Sequence, residues 1–485
     1  SYEVHGEQIF DKLAGNFSFA LYDDLKKKLF LARDHFGVKP LFYFEDENFF
    51  IFSSEIKFIN FFSKIKLTVN KKKMIQFLCQ YLESAEETFY KEIKSLLPSH
   101  YLVYENNETK LRRYNHFSET QLEYKNFELA SRTLKKVLTN AVRERLFYNK
   151  DKKIGCLVSG GLDSTSIYSL MKESSGNSTY PITMNFYDKE KNPLKCDEEF
   201  FQNKIIEDKS KRIKIDFIKQ SPIEKISEFL IRHDQPFELA NSYLWDETYK
   251  IAKNENIKII FNGIDGDIVI SHGYERLKEL FNLRSIHIFF RELYLFSLIH
   301  KRESSKRPIW LVIIKILLKE KFLFFHLIKL KKLFSKKKTS RHIIKKKYVQ
   351  DLNVKEVFSQ IRMFRPHKEK IENNIISAGL ISLDLLSFEK NIFNQFPFFD
   401  IKVVNFCKSL KSEFKLKDGK TRYILREAMR EVIPKDIVDR YTKANLTYNY
   451  MDSITLKDYK NIEFEINNIH PKLEKIIDKN NLTAE

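Results

Sequence analysis

Cysteine is scarce. The 485 residues contain four, Cys79, Cys156, Cys196 and Cys407, far apart and without C-x-x-C spacing. Neither a disulfide framework nor a zinc site fits that pattern, and a reducing cytoplasm is the compartment it suggests. No span of 18 residues is free of charge, so a membrane-crossing helix is not expected. The N-terminus, Ser1-Tyr2-Glu3-Val4-His5, lacks an initiator Met and a basic segment followed by an apolar run, so no signal peptide is expected.

Apolar residues make up 43% of the chain, enough for two or three domains with proper cores. A net charge of +20 would suggest nucleic acid or an anionic surface, but most of it is local. Between Lys301 and Lys347 stand 17 Lys and Arg against two acids, Glu303 and Glu320. This basic segment belongs to an insert at about 281–354. Two readings of it stay open: a basic amphipathic helix lying on a membrane surface or RNA, or a surface insert whose apolar stripe packs on the core.

Short aromatic and β-branched runs at 17–22, 28–33, 41–44 and 49–52 predict an antiparallel sheet, with a helix over 72–82 and a hairpin between 96 and 114. This α+β unit is expected to close near residue 120. After an amphipathic helix over 127–147, apolar runs at 154–158, 181–186, 213–217 and 257–261 alternate with helical segments. That alternation predicts parallel βαβ units, an α/β fold with ligands at the carboxyl ends of the strands. The tail reads as mainly helical, most clearly over 421–432 and 456–466.

One strand end carries the strongest signal, Ser159-Gly160-Gly161-Leu162-Asp163-Ser164-Thr165 directly after 154–158. A glycine-rich turn entering a helix points backbone N–H groups and the positive helix end at an anion. Ser and Thr hydroxyls can donate to phosphate oxygens, and Asp163 can hold a magnesium ion beside them. No lysine follows the second glycine, so this is not a Walker loop. Ser-Gly-Gly-x-Asp-Ser instead resembles the pyrophosphate loop of N-type ATP pyrophosphatases, which cleave ATP between the α and β phosphates.

Further blocks extend the resemblance. Gly15 to Asp23, Ala32 to Leu41 and Phe52 to Lys57 resemble later strands of the glutaminase domain of glutamine-dependent asparagine synthetases. Cys196-Asp197-Glu198, His233 to Phe237, Phe261 to Asp267, Phe396 to Asp400 and Lys420 to Arg426 follow in the family's order. The resemblance implies a partial Ntn-type glutaminase unit at 1–120. It also implies an ATP pyrophosphatase unit at 121–485, with a parallel sheet and flanking helices.

The implied chemistry is adenylation of a carboxylate, that of the aspartate side chain by preference, followed by displacement of AMP by ammonia derived from glutamine. Asp163 and Asp267 would jointly hold Mg2+, and Ser159, Gly160, Gly161, Ser164 and Thr165 would cradle the β and γ phosphates. Leu157, Val158, Met184 and Gly263 resemble the adenosine-site positions. Lys443, in Arg440-Tyr441-Thr442-Lys443-Ala444, resembles the lysine that approaches the α-phosphate, and Arg422 is a further candidate phosphate contact. The assembly is left open, a homodimer included.

The chain also departs from the pattern. Residue one is serine where the family's nucleophile is an N-terminal cysteine, and the half-domain that would bind glutamine is expected to be missing from the sequence as given. Glutamine hydrolysis is therefore not expected, and half a sandwich is expected to expose one sheet's inner face unless a second chain covers it. Ile264 stands where asparagine synthetases carry a glutamate, and Phe393 or Asn394 where some relatives place an acid. The alternatives are a ring-closing or other amide ligase of a secondary-metabolite or peptide pathway, a tRNA-modifying pyrophosphatase-loop protein, and an inactive scaffold.

Overall fold

The computed structural model describes residues 2–62, 64–78, 83–114, 126–175, 179–188, 190–194, 198–218, 220–237, 241–283, 285–304, 344–345, 367, 371, 374–441, 450 and 453–479. Lys443, Cys79, Cys196 and most of the basic insert lie outside the described residues. Cys156 and Cys407 are free and buried.

The N-terminal runs fold into strands β1 (Ser18–Asp23), β2 (Lys28–Arg33), β3 (Phe42–Glu45), β4 (Phe50–Ser53), β5 (Ile93–Ser95), β6 (His100–Glu105) and β7 (Glu108–Arg113). They form two antiparallel sheets, ordered β1-β2-β6-β7 and β4-β3-β5. Asn106 and Asn107, with φ of 50° and 60°, make the tight turn between β6 and β7, the conformation that suits the twist of a two-residue hairpin.

The expected exposed inner face is corrected by the structure. Leu31, Leu41, Tyr43, Leu96 and Leu102 pack the two sheets together. The other side of the first sheet is covered by the N-terminal turn Gly6–Lys12, whose fully buried Phe10 lies with Phe30, Tyr101 and Tyr114. The helix expected over 72–82 is described as Lys71–Leu78.

The second unit is built on a parallel sheet of β8 (Ile154–Leu157), β9 (Thr179–Tyr187), β10 (Ile213–Ile218), β11 (Ile259–Phe261) and β12 (Phe393–Gln395). Their order is β10-β9-β8-β11-β12, and every pair is parallel. The chain runs outward from β8 to β10 and then returns to the other side of β8 with β11. Loops leaving β8 and β11 therefore diverge, which opens a crevice at their carboxyl ends.

Helices flank this sheet. Phe127–Phe147 is capped by Asn126, whose side chain accepts the Leu129 N–H at 2.7 Å, and it buries Ala130, Leu134, Leu138, Ala141 and Val142. The helix expected over 421–432 is shorter, Tyr423–Ala428. Ahead of it Leu416–Lys417 and Lys420–Thr421 pair as a two-stranded hairpin around Asp418 and Gly419, both at positive φ, and Arg422 sits at φ 52°, a left-handed conformation in which a helix cannot continue. β12 was not expected, because three residues carry no alternation to read.

The two units share a contact of mixed character. Phe36 and Val38 enter the main core of the second unit, where the Phe36 and Phe399 rings lie 5.1 Å apart. Beside them Lys39 Nζ meets Asp384 Oδ1 at 2.5 Å, and the Arg33 guanidinium, fully buried, donates to the carbonyls of Gly37, Lys39 and Leu96.

Candidate functional site

β8 delivers the chain to the loop Ser159–Gly161, and the helix Leu162–Ser175 starts from it. Gly160 has φ 79°, and a Cβ there would fall 2.7 Å from Phe201 Cβ, so only glycine lets the turn lie against the helix Glu199–Ile205. The loop closes on its own hydroxyls. Ser159 N donates to Ser164 Oγ at 3.1 Å, the two serine hydroxyls lie 2.9 Å apart, and Gly161 N donates to Ser159 Oγ at 3.3 Å.

The loop after β11 meets this turn. A Cβ on Gly263 would lie 2.6 Å from Ser164 N and 2.7 Å from the Asp163 carbonyl carbon, so the two backbones touch. Asp265, at φ 54°, then immediately precedes the short helix Gly266–Ile270, which carries Asp267. A methyl on Gly266 would approach Asp163 Cβ and Cγ to 3.0 Å, so this helix begins against the Asp163 side chain.

Between these loops lies a cavity of about 340 Å³. Leu157, Val158, Ser159, Gly161, Asp163, Ser164, Met184, Gly263, Asp267 and Arg422 all line it, so ten of the sequence-predicted residues meet at one cavity. Gly160 and Thr165 do not line it. The Gly160 carbonyl instead accepts from Arg440 Nη1 at 3.2 Å, and Thr165 is fully buried, its hydroxyl without a hydrogen-bond partner among the described residues. Lys443 lies outside the described residues. Phe393 and Asn394, at the place where some relatives carry an acid, do not line the cavity, and Asn394 is buried in β12 with its amide donating to the Tyr249 hydroxyl at 2.9 Å.

Two arginines close the polar end. Arg422 donates from Nη1 to both Asp163 oxygens, at 2.8 and 2.6 Å. Burial disfavours its charge, yet Asp163 and then Asp267 outweigh that and raise its pKa above the ordinary arginine value. Arg440 pairs with Glu198, and its guanidinium lies 3.7 Å from the centre of the Phe201 ring.

Sequence reasoning assigned no role to Glu198, Gln202, Trp245, Asn262 or Arg440, all of which line the cavity. Glu198 and Arg440 stand inside blocks that carried the resemblance, whereas Trp245 and Gln202 give no local signal. Two buried donors at the cavity are unpartnered among the described residues, Asn262 Nδ2 and Arg422 Nε. Unmet donors beside a helix start suit an acceptor-rich, anionic guest. The larger share of the wall is apolar, from Leu157, Val158, Ile182, Met184, Phe186, Trp245 and Ile264, which suits a flat ring system.

Residues 133–482 match the family model for asparagine synthase, and residues 1–115 that for a glutamine amidotransferase domain. The chain is 27% identical over 270 residues to the putative asparagine synthetase [glutamine-hydrolyzing] 2 of Methanocaldococcus jannaschii, covering 54% of this chain and 50% of that protein. It is 32% identical over 168 residues to asparagine synthetase [glutamine-hydrolyzing] 3 of Bacillus subtilis, covering 34% and 27%. To the Homo sapiens asparagine synthetase [glutamine-hydrolyzing] it is 31% identical over 179 residues, covering 33% and 28%. The chain thus spans half or less of the length of these curated relatives.

Proposed function

Because the chain belongs to the asparagine synthase family, we propose that it is an ATP-dependent amide ligase that adenylates a carboxylate, aspartate by preference, and passes the acyl group to ammonia. One observation carries the reading: the helices that follow β8 and β11 and the residue ahead of the helix Tyr423–Ala428 bring Asp163, Asp267 and Arg422 to a single cavity whose lining is otherwise largely apolar. Leu157, Val158 and Met184 would hold adenosine there, leaving its phosphates toward the helix start at Leu162. Asn262 Nδ2 and Arg422 Nε, both lacking partners, would donate to bound oxygens.

Magnesium fits this donor set. Asp163 and Asp267 offer two carboxylates to the one cavity, and phosphate oxygens and water would complete a coordination shell that prefers six oxygens. Among the described residues no cluster of three or more metal-ligating side chains exists, which suits an ion that arrives with the nucleotide. When bound, the ion would neutralise charge on the departing pyrophosphate. Lys443 would place a further positive charge at the α-phosphate, where charge builds on non-bridging oxygens.

The amine would come from glutamine through the N-terminal unit of the complete protein, with the division between units near residue 120. No described helix is long and apolar enough to cross a membrane. Ile264 on the cavity wall favours a second reading, in which the same adenylation serves a less polar carboxylate or an intramolecular amine. Exchange of labelled pyrophosphate into ATP, screened over aspartate and other carboxylic acids, tests both. Exchange with aspartate supports the first reading and exchange only with another acid the second. Absence of exchange with every acid, in folded protein with magnesium, would falsify adenylation.

A further inference from the structure

Arg426 carries a buried positive charge to which the proposed chemistry gives no part. Only 1% of it is exposed, in the helix Tyr423–Ala428. Its Nε donates to the Thr421 carbonyl at 2.9 Å, and its Nη1 donates to the carbonyls of Val438 and, at 2.7 Å, Arg440. Its guanidinium also lies 4.3 Å from the centre of the Tyr441 ring. Among the described residues none of its hydrogen bonds goes to a carboxylate.

Burying a guanidinium without a carboxylate is costly, and an apolar side chain of similar volume would fill the same space more cheaply. What a guanidinium adds is a rigid planar fork of donors that can hold separate backbone segments at once. The segments it holds are those that present the two cavity arginines. Thr421 immediately precedes Arg422, which reaches Asp163 from a left-handed backbone position, and the Arg440 carbonyl belongs to the residue that reaches Glu198 and the Gly160 carbonyl.

We propose that Arg426 is a positioning residue that couples Arg422 to Arg440, so that both guanidinium groups face the polyphosphate of a bound nucleotide as one unit. The proposal rests on the ATP-site reading above. Burial and then the neighbouring Arg422 lower the Arg426 pKa to about 10, which leaves it charged at neutral pH.

The test uses the full chain and inorganic pyrophosphate as the probe, with ATP as a second ligand, measured by calorimetry in magnesium buffer. Arg426→Lys keeps the charge but cannot span both carbonyl sets, and Arg426→Met removes charge and fork together. Arg426→Lys is expected to fold with an unchanged circular dichroism spectrum and to bind pyrophosphate 10- to 30-fold more weakly. Adding Arg422→Ala should then cost far less than it does in the unmodified chain, the non-additivity expected of residues acting as a unit.

Binding within twofold of the unmodified chain, or effects of Arg426→Lys and Arg422→Ala that multiply independently, would overturn the coupling. Hydrogen exchange on ligand-free Arg426→Met supplies a readout without any nucleotide: amides at 421–423 and 438–441 should lose protection together, and loss at only one segment overturns the proposal. Should the unmodified chain bind neither probe, the ATP reading fails and this proposal with it. Normal binding that Arg426→Lys leaves intact overturns the coupling alone.

Discussion

One guanidinium nitrogen of Arg422 is held by both carboxylate oxygens of Asp163, at 2.8 and 2.6 Å, across 259 residues of sequence. Only 8% of Arg422 is exposed, and its Nε has no partner among the described residues. The pair therefore neutralises the carboxylate that the proposed magnesium needs, while one donor stays unspent. A charge-assisted contact of this kind is worth about 1.5–3 kcal/mol, small enough for a magnesium nucleotide to exchange it.

Arg422→Gln should separate the two sides of that exchange. Without the guanidinium, Asp163 loses the cation that holds both its oxygens, so Mn2+ binding in the absence of nucleotide is expected to tighten. ATP binding is expected to weaken about 10- to 100-fold, which corresponds to roughly 1.4–2.7 kcal/mol. Electron paramagnetic resonance of free Mn2+ measures the first and calorimetry the second. Unchanged or weaker Mn2+ binding would show that Arg422 does not compete for Asp163.

Gly263→Ala tests the backbone contact under the cavity. The added methyl would lie 2.6 Å from Ser164 N and 2.8 Å from Ser164 Cα, atoms that cannot move without shifting the loop. Overpacking of this kind costs about 1–3 kcal/mol, and it should weaken ATP binding as well, because the displaced atoms open the helix. Gly379→Ala is the control, since a Cβ there meets nothing within 4 Å and its helix, Asn374–Phe388, should gain up to about 1 kcal/mol. Equal urea midpoints for the two variants would remove the steric argument.

The parts of this fold legible in the sequence are those written locally. β8, the turn after it and the helix over 127–147 follow from contiguous apolar runs, a glycine pair and an Asn cap. β12 was illegible because its three residues join a sheet whose other strands end more than 130 residues earlier. The expected tail helix begins two residues early, since its apolar spacing says nothing of the left-handed Arg422 that delays its start, and it runs four residues past Ala428 into a turn. At the site, carboxylates at strand ends could be read from their blocks. The pairing of Arg440 with Glu198, 242 residues apart, arises only when the chain folds back over the loop.

Lys39→Met should expose what the salt bridge between the two units contributes. The Lys39 and Asp384 side chains are 23% and 7% exposed, and burial raises the Asp384 pKa even though Lys39 and then Arg33 pull it down. Removing the lysine leaves a buried carboxylate without its closest cation, a loss of about 3–5 kcal/mol for a fully buried pair and somewhat less here, since Lys39 keeps partial contact with water. Lys39→Met with Asp384→Leu should recover much of that loss, because neither member of the pair then remains to be solvated. Urea denaturation of the two variants decides the matter, and a double variant no more stable than the single one would contradict the account.

His35 sets an expected acid limit on the N-terminal unit. It is 6% exposed, its ring packs edge-on to Tyr114 at 5.2 Å, and burial lowers its pKa from 6.5 to about 4, with Asp400 opposing. Above pH 6.5 the imidazole is neutral in folded and unfolded chains alike and adds no pH dependence. Between pH 6.5 and 4 the unfolded chain takes up a proton that the folded chain refuses, so stability declines as pH falls, by up to about 3 kcal/mol at pH 4. Below pH 4 both states are protonated and this contribution levels off. His35→Phe keeps the packing and removes the proton site, while the Ser99 hydroxyl keeps its bond to the residue-35 carbonyl. Urea midpoints from pH 8 to pH 4 should therefore fall less steeply for the variant. Carboxylates titrate in both proteins, so the difference between the curves isolates the histidine, and parallel curves would mean that His35 takes up its proton as readily folded as unfolded.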